Sequence, residues 1–251
     1  MKLAKVIFRF FGQINFFLPP EKREQDFIVQ FHDNPTVMNL IESLSAPHTE
    51  IGRLELDGKD LPASHLVSDG EHIQVYPVNT DNHKDIIQGK SPSRFVLDVH
   101  LGRLSAYLRM LGFDTVYGKS LDDQTLAQIS ADEDRILLSR DRGLLMRKIV
   151  RQGSFIYSTD PFHQFHQVIH RYSLKTQAAP FTRCLKCNGL LNPVEKTEIR
   201  HLLLPLTEKH HEEFARCDTC GGIFWKGSHF ERMEKIIRAA YAEDEQDKSI
   251  T

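Results

Sequence analysis

The stretch RFVLDVHLGRLSAYLRMLG, residues 94–112, begins with an apolar run that ends on an acidic residue, Asp98. Three consecutive apolar residues before an acid are typical of a buried strand in a parallel sheet. A largely apolar stripe at helical spacing follows and predicts a helix that ends at Gly112. The stripe consists of Leu101, Leu104, Ser105, Leu108 and Leu111. A strand that leads directly into a helix indicates an α/β fold.

The same alternation continues to residue 172. Residues 135–141 and 154–160 predict two more strands that end on acids, Asp141 and Asp160. Helical patterns lie between and after them, one of them over residues 144–150. A β-α-α-β-α-β-α order predicts a mainly parallel sheet with helices on both faces. We therefore assign residues 92–172 to a central α/β domain.

Residues 1–80 predict a different sheet. A strand pair, a helix capped by Thr36 and further short strands describe a β-grasp domain. The ending DGEHIQVYPV, residues 69–78, resembles ubiquitin-like sulfur carriers. Those carriers end on a free Gly-Gly, whereas this chain continues through the polar segment 79–93, which fits a linker. A docking or scaffold role is therefore expected rather than carrier chemistry.

All four cysteines form two C-x-x-C pairs, Cys184–Cys187 and Cys217–Cys220. Two such pairs complete a tetrahedral zinc site with no cysteine left over. A disulfide framework is the alternative, but the chain shows no secretory signal. Asn188-Gly189 and Gly221-Gly222 follow the pairs and accept a left-handed backbone, and a hairpin or loop is expected between the pairs. We expect a structural zinc ribbon over residues 180–242, because four thiolates leave no position for substrate.

Acidic residues at the ends of parallel strands predict a second site. Ligands of such sheets bind beyond the carboxyl ends of the strands, and clustered carboxylates favour Mg²⁺ or Mn²⁺, which could support phosphodiester hydrolysis. The residues are Asp98, Asp141, Asp160 and the helix-starting Asp122-Asp123. Asp122 and Asp160 could instead only cap helices. Nearby Arg103, Arg140 and Arg142 could bind phosphate, or an arginine beside Asp141 could pair with a carboxylate.

Three motifs together resemble the Mut-seven C-terminal RNase domain family. They are FVLDVHLGRLSAYLRMLGFDT, DDQTLAQISADEDRILLSRDRGLL and the cysteine segment that ends in CDTCGGIFWKGSHFERM. The resemblance implies a PIN-like nuclease fold with a zinc ribbon and an N-terminal ubiquitin-like domain. It also implies that Asp98, Asp123 and Asp141 are the catalytic acids that bind Mg²⁺ or Mn²⁺. A further acid on a middle helix has no clear counterpart here, although Asp122, Asp160 or Glu133 could substitute.

These observations lead to a cytoplasmic, metal-dependent ribonuclease as the expected function. RNA is the expected partner, with a possible protein partner for the ubiquitin-like domain and no membrane-spanning segment. The net charge of −2 permits contact with nucleic acid but does not demand it. Two alternatives stay open. The chain could be a non-catalytic RNA-binding or adaptor protein that keeps the fold, or an interaction scaffold built around the β-grasp domain.

Overall fold

The computed structural model describes residues 3–78 and 94–247. The predicted linker, residues 79–93, lies outside the described residues. Contacts divide the chain into two compact units, one formed by Met1–Pro92 with Leu121–Ile156 and the other by Ser93–Ser120 with Tyr157–Thr251. The predicted domain boundaries at 1–80, 92–172 and 180–242 stay predictions, and each unit is described by itself.

The first unit contains a five-stranded sheet with the order β2-β1-β5-β3-β4. Its elements are β1 (Ala4–Phe10), β2 (Asp26–Phe31), α1 (Val37–Ser43), β3 (Ile51–Leu56), β4 (Lys59–Asp60) and β5 (His72–Pro77). β1 pairs parallel with β5 and antiparallel with β2. Alternate residues Val6, Phe8 and Phe10 are buried, as expected for a strand with one face on a core. The β-grasp prediction is confirmed.

Three short 3₁₀ segments belong to this β-grasp domain. Gly12–Phe17 and Pro20–Lys22 lie between β1 and β2, and His48–Glu50 precedes β3. Thr36 begins α1 as predicted, since its side chain accepts the N–H of Asn39.

The central segment alternates strands and helices. Its elements are β6 (Arg94–Leu97), α2 (Gly102–Met110), β7 (Asp114–Tyr117), α3 (Asp123–Asp132), β8 (Ile136–Ser139), α4 (Arg142–Leu145), β9 (Gly153–Phe155) and α5 (Pro161–Arg171). β6 pairs parallel with β7 in the second unit, and β8 pairs parallel with β9 in the first. The parallel α/β prediction is confirmed.

Three details of the central segment differ from the prediction. Strand β7 was missed, because its four residues include the polar Asp114 and Thr115. The helix expected over residues 144–150 is α4, which begins at Arg142 and ends at Leu145. The strands expected over residues 135–141 and 154–160 end at Ser139 and Phe155. Their acids lie beyond the strands, because Asp141 caps α4 and Asp160 caps α5.

The C-terminal segment is a three-stranded antiparallel sheet followed by a long helix. Its elements are β10 (Leu191–Val194), α6 (Lys196–Ile199), α7 (Pro205–His210), β11 (Phe214–Cys217), β12 (Ile223–Trp225) and α8 (Ser228–Asp247). The sheet order is β10-β11-β12. The expected hairpin between the cysteine pairs is β10 with β11, and α6 and α7 form its connection. α5 packs against both α2 and α8. No described helix combines the length and apolar character that crossing a bilayer requires.

Candidate metal centre and acidic residues

The four cysteine sulfurs converge in the second unit. All four lie within 4.8 Å of one another. Cys184 and Cys220 have their Sγ atoms 3.8 Å apart, and Cys187 and Cys217 have theirs 3.4 Å apart. A tetrahedral ion with Zn–S bonds of about 2.3 Å places its ligands about 3.8 Å apart. The four cysteines could therefore bind a metal ion such as zinc.

Two similar turns place these sulfurs. Asn188 donates its N–H to the Cys184 carbonyl, and Gly221 donates its N–H to the Cys217 carbonyl. Both residues have left-handed φ angles, of 73° and 68°, as their residue types predicted. Gly189 is needed for a different reason, because a Cβ there would lie 2.4 Å from Thr219 Oγ1. The second turn therefore packs against the first.

Backbone groups favour the thiolate at Cys217. Burial raises the pKa of this thiol, but the N–H groups of Cys220 and Thr219 and bonds from the neighbouring cysteines lower it to about 7. The thiolate, rather than the thiol, is the form that binds metal. The lowered pKa therefore favours the metal-binding form of Cys217.

Arg109 supports the first cysteine pair and was missed by sequence reasoning. Its guanidinium donates to the carbonyls of Leu185 and Lys186, each at 3.1 Å, and to the carbonyl of Thr115. Burial lowers its pKa, and the charges of nearby cysteines and Asp114 oppose that shift. One sequence feature could have indicated that Arg109 is buried. It lies four residues after Ser105, on the predicted apolar stripe of the helix.

Asp98 ends β6 in the second unit. The residue is only 7 % exposed, and its carboxylate accepts the N–H of Val99, which caps the 3₁₀ segment Val99–Leu101. Asp98 therefore lies directly after a buried strand, as its sequence position predicts, and its role as a metal ligand stays a prediction.

Asp141 and Asp123 lie in the first unit. Asp141 Oδ1 accepts the N–H groups of Gly143 at 2.7 Å and Leu144 at 3.2 Å, and so caps α4. Its Oδ2 has no hydrogen bond or ion pair within the described part of the chain. Asp123 is the first residue of α3, and its Oδ2 lies 4.0 Å from Nη2 of Arg147. Each carboxylate therefore keeps an oxygen that is not used by a helix cap.

The other acidic candidates have structural partners. Asp122 Oδ1 accepts the N–H of Thr125, and this hydrogen bonding lowers the pKa of Asp122. Asp160 caps α5 through the N–H groups of Phe162 and His163. Glu133 Oε2 lies 2.8 Å from Nε of Arg135. For Asp122 and Asp160 the capping alternative matches the observed contacts.

Within residues 3–78 and 94–247, only the four cysteines bring three or more potential ligand atoms of this kind within 4.8 Å of one another. Asp98 belongs to one unit, whereas Asp123 and Asp141 belong to the other. The convergence of these three acids on one Mg²⁺ or Mn²⁺ ion stays a prediction.

The three arginines proposed for phosphate have different surroundings. Arg103 is exposed, and no partner of its side chain is found among the described residues. Arg140 Nη1 donates to the Ile156 carbonyl at 2.9 Å. Arg142 lies over the rings of Phe16 and Phe17 at 5.4 and 5.1 Å from their centroids. Arg103 is the one of these three whose guanidinium is fully available to a ligand, and phosphate binding stays a prediction for all three.

Residues of the C-terminal sheet and α8 line an open cavity of about 680 Å³. Its apolar lining includes Phe214, Phe224 and Trp225, of which Trp225 is 41 % exposed. Its charged lining consists of Glu195, Glu198, Glu212, Glu213, Arg183 and Lys226. A phosphate backbone would meet more negative than positive groups there, which does not favour this cavity as the RNA-binding surface.

Comparison with known proteins gives two matches to family models. The Mut7-C RNAse domain model matches residues 93–237, and the Mut7-C ubiquitin model matches residues 3–83. Together they cover both segments that the sequence motifs single out. No curated protein and no solved structure matches the chain.

Proposed function

Because the chain belongs to the Mut7-C RNAse domain family, we propose that it is a metal-dependent ribonuclease that hydrolyses RNA phosphodiester bonds. The family match over residues 93–237 is the observation that carries this proposal. Fold alone does not establish activity, so the proposal also needs suitable chemistry at the predicted acids.

The proposed catalytic residues are Asp98, Asp123 and Asp141. Carboxylate oxygens are the ligands that Mg²⁺ and Mn²⁺ prefer, and such an ion would supply a metal-activated water and charge for the phosphate oxygens. The burial of Asp98 and the Oδ2 of Asp141 that has no partner within the described residues support this role. Arg103, exposed on α2, is the best placed of the three arginines to hold a phosphate oxygen.

For the cysteine cluster we propose one structural zinc ion. Four thiolates close the coordination sphere, so the ion would stabilise the C-terminal sheet and would not activate water. We also propose a cytoplasmic location, where thiolates stay reduced, and a protein partner for the ubiquitin-like domain.

A non-catalytic RNA-binding or adaptor protein is the second candidate function. One observation favours it: Asp141 Oδ1 already accepts two helix N–H groups, and the neighbouring Arg140 and Arg142 already have partners within the protein. Such a protein would bind RNA with a strong dependence on salt but would not cleave it.

The test is cleavage of single-stranded RNA by the full chain in Mn²⁺ and Mg²⁺. Asp98→Asn and Asp141→Asn should each reduce kcat by orders of magnitude while RNA binding persists, because the basic groups remain. Asp122→Asn is the matched control and should cleave normally, since asparagine also caps helices. If the wild-type chain binds RNA but leaves a broad panel uncut, the adaptor function replaces the nuclease.

A further inference from the structure

The 3₁₀ segment His48–Glu50 of the ubiquitin-like domain contacts the β8–β9 region within the first unit. Glu50 is fully buried, and its Oε1 accepts the N–H of Phe155 in β9 at 2.7 Å. Nε2 of His48 lies 2.7 Å from the Val150 carbonyl, to which it donates because a carbonyl only accepts. Separation of these segments would leave a buried carboxylate and backbone groups without these bonds.

A second 3₁₀ segment, Gly12–Phe17, reaches the same region with aromatic rings. Phe16 and Phe17 lie 5.4 and 5.2 Å from the ring of Phe155, between centroids. Both rings also contact the Arg142 guanidinium, whose Nη1 lies 3.5 Å from the Phe17 carbonyl oxygen. A guanidinium over two aromatic faces is attracted by both rings.

Arg142 connects this contact to the acidic residue beside it. Arg142 is the first residue of α4, directly after Asp141, and the Asp141 carboxylate holds the next two N–H groups of the same turn. α4 has only four residues, so its own hydrogen bonds contribute little to its stability. Contacts from outside the helix are therefore needed to keep this turn, and Asp141 with it, in one place.

We propose that the ubiquitin-like domain holds the Asp141 turn in place, with Phe16 and Phe17 as positioning residues that act through Arg142. The catalytic part of this inference rests on the proposed function, because it needs Asp141 to bind the reactive metal. The domain is then a fixed part of the nuclease rather than a module that only recruits partners. In this proposal Arg142 acts as a structural link rather than as a phosphate-binding residue.

Hydrogen exchange of the full chain tests whether the Asp141 turn is held in place, and this measurement does not depend on RNA cleavage. Phe16→Ala and Arg142→Ala should each speed exchange of the Gly143 and Leu144 amides by about tenfold, as expected for loss of a partly buried cation–π contact. Phe16 is 42 % exposed, so the β-grasp fold should survive its truncation. Ile28→Ala is the matched control, since Ile28 is a 58 % exposed apolar residue of the same domain. It should leave both amides unchanged.

RNA cleavage supplies the second measurement. Phe16→Ala should lower kcat with little change in KM, and Phe16→Tyr, which keeps the ring, should restore it. The double variant Phe16→Ala with Arg142→Ala should be no slower than the slower single variant, because both changes break one contact. Unchanged amide exchange, or a rise in KM alone for Arg142→Ala, would overturn the proposal. If the wild-type chain cleaves no RNA, the exchange result still decides whether the domain holds this turn.

Discussion

The cysteine cluster and the acidic residues differ in how their ligands are brought together. Within each cysteine pair a single turn places both sulfurs, and the antiparallel strands β10 and β11 join the two pairs, with Leu191 opposite Cys217. Asp98, Asp123 and Asp141 instead end or begin three separate elements. A site made from local turns follows from residue spacing, whereas a site made from strand ends depends on how whole elements pack.

The largest effect is expected from a variant that removes one ligand of the cysteine cluster. Cys217→Ser should release the metal and unfold the C-terminal sheet, because metal binding and folding are coupled in such modules. Elemental analysis should find about one zinc per wild-type chain and much less in the variant. Limited proteolysis should then cut the C-terminal segment while the β-grasp domain stays intact.

His229→Ala is the control for the cysteine variant. This histidine is exposed and lies close in sequence to the second pair, but it is not one of the four clustered ligands. It should retain full zinc content. Loss of zinc from His229→Ala, or an ordered C-terminal sheet in metal-free protein, would contradict a closed four-cysteine site.

The second prediction asks whether the acids form one site as the cysteines do. Asp98→Asn and Asp141→Asn should each weaken Mn²⁺ binding at least about tenfold, since even partners of metal ligands have effects of that size. The double variant should weaken it little further once the ion is lost, because residues that share a ligand are not additive. Calorimetric titration of the zinc-loaded chain measures both effects. Fully independent losses would show that the two acids do not share an ion.

Local patterns explain how much could be predicted from the sequence. The β-grasp strands, the cap at Thr36 and both cysteine turns follow from side-chain alternation and from residues that accept particular backbone angles. Strand β7 and the length of α4 could not be predicted. The polar Asp114 and Thr115 interrupt the apolar pattern of β7, and α4 ends where tertiary contacts rather than helix propensity decide.

The roles of individual charged residues were the hardest to predict. Arg140 and Arg142 have the same residue type on either side of Asp141, yet one donates to the Ile156 carbonyl and the other stacks on two phenylalanines. Arg109 has four hydrogen bonds to backbone carbonyls, none of them from its own helix. Partners that are distant in sequence leave no local signal, so charge beside a motif does not distinguish a ligand-binding group from a packed one.

The third prediction concerns Arg109, which supports the first cysteine pair. Arg109→Met keeps most of the side-chain length but removes the donors to Thr115, Leu185 and Lys186. It should lower the free energy of unfolding by about 2 kcal/mol, because buried carbonyls lose their partners. Urea unfolding measures this, and zinc should also leave faster to a chelator. Arg103→Met, exposed on the same helix, is the control and should change neither quantity.

The smallest expected effect separates a capping acid from a metal-binding one. Hydrogen bonding to Thr125 lowers the pKa of Asp122 in the folded chain. A lowered folded pKa means that the stabilisation is present above the unfolded pKa and is lost as pH falls through the folded value. Asp122→Ala should therefore melt at a slightly lower temperature than the wild type at pH 7, and the difference should shrink below about pH 4.

The Mn²⁺ affinity of the same variant tests whether Asp122 also binds the metal ion. A cap acts only on the first turn of α3, so Asp122→Ala should bind Mn²⁺ as the wild type does, whereas Asp123→Asn should bind it more weakly. The two residues are adjacent and both exposed, which makes them a matched pair in burial and charge. If Asp122→Ala loses Mn²⁺ while Asp123→Asn retains it, the two acids have exchanged roles. The strand-end site would then have to be rebuilt around Asp122, with its cap to Thr125 given up when the ion binds.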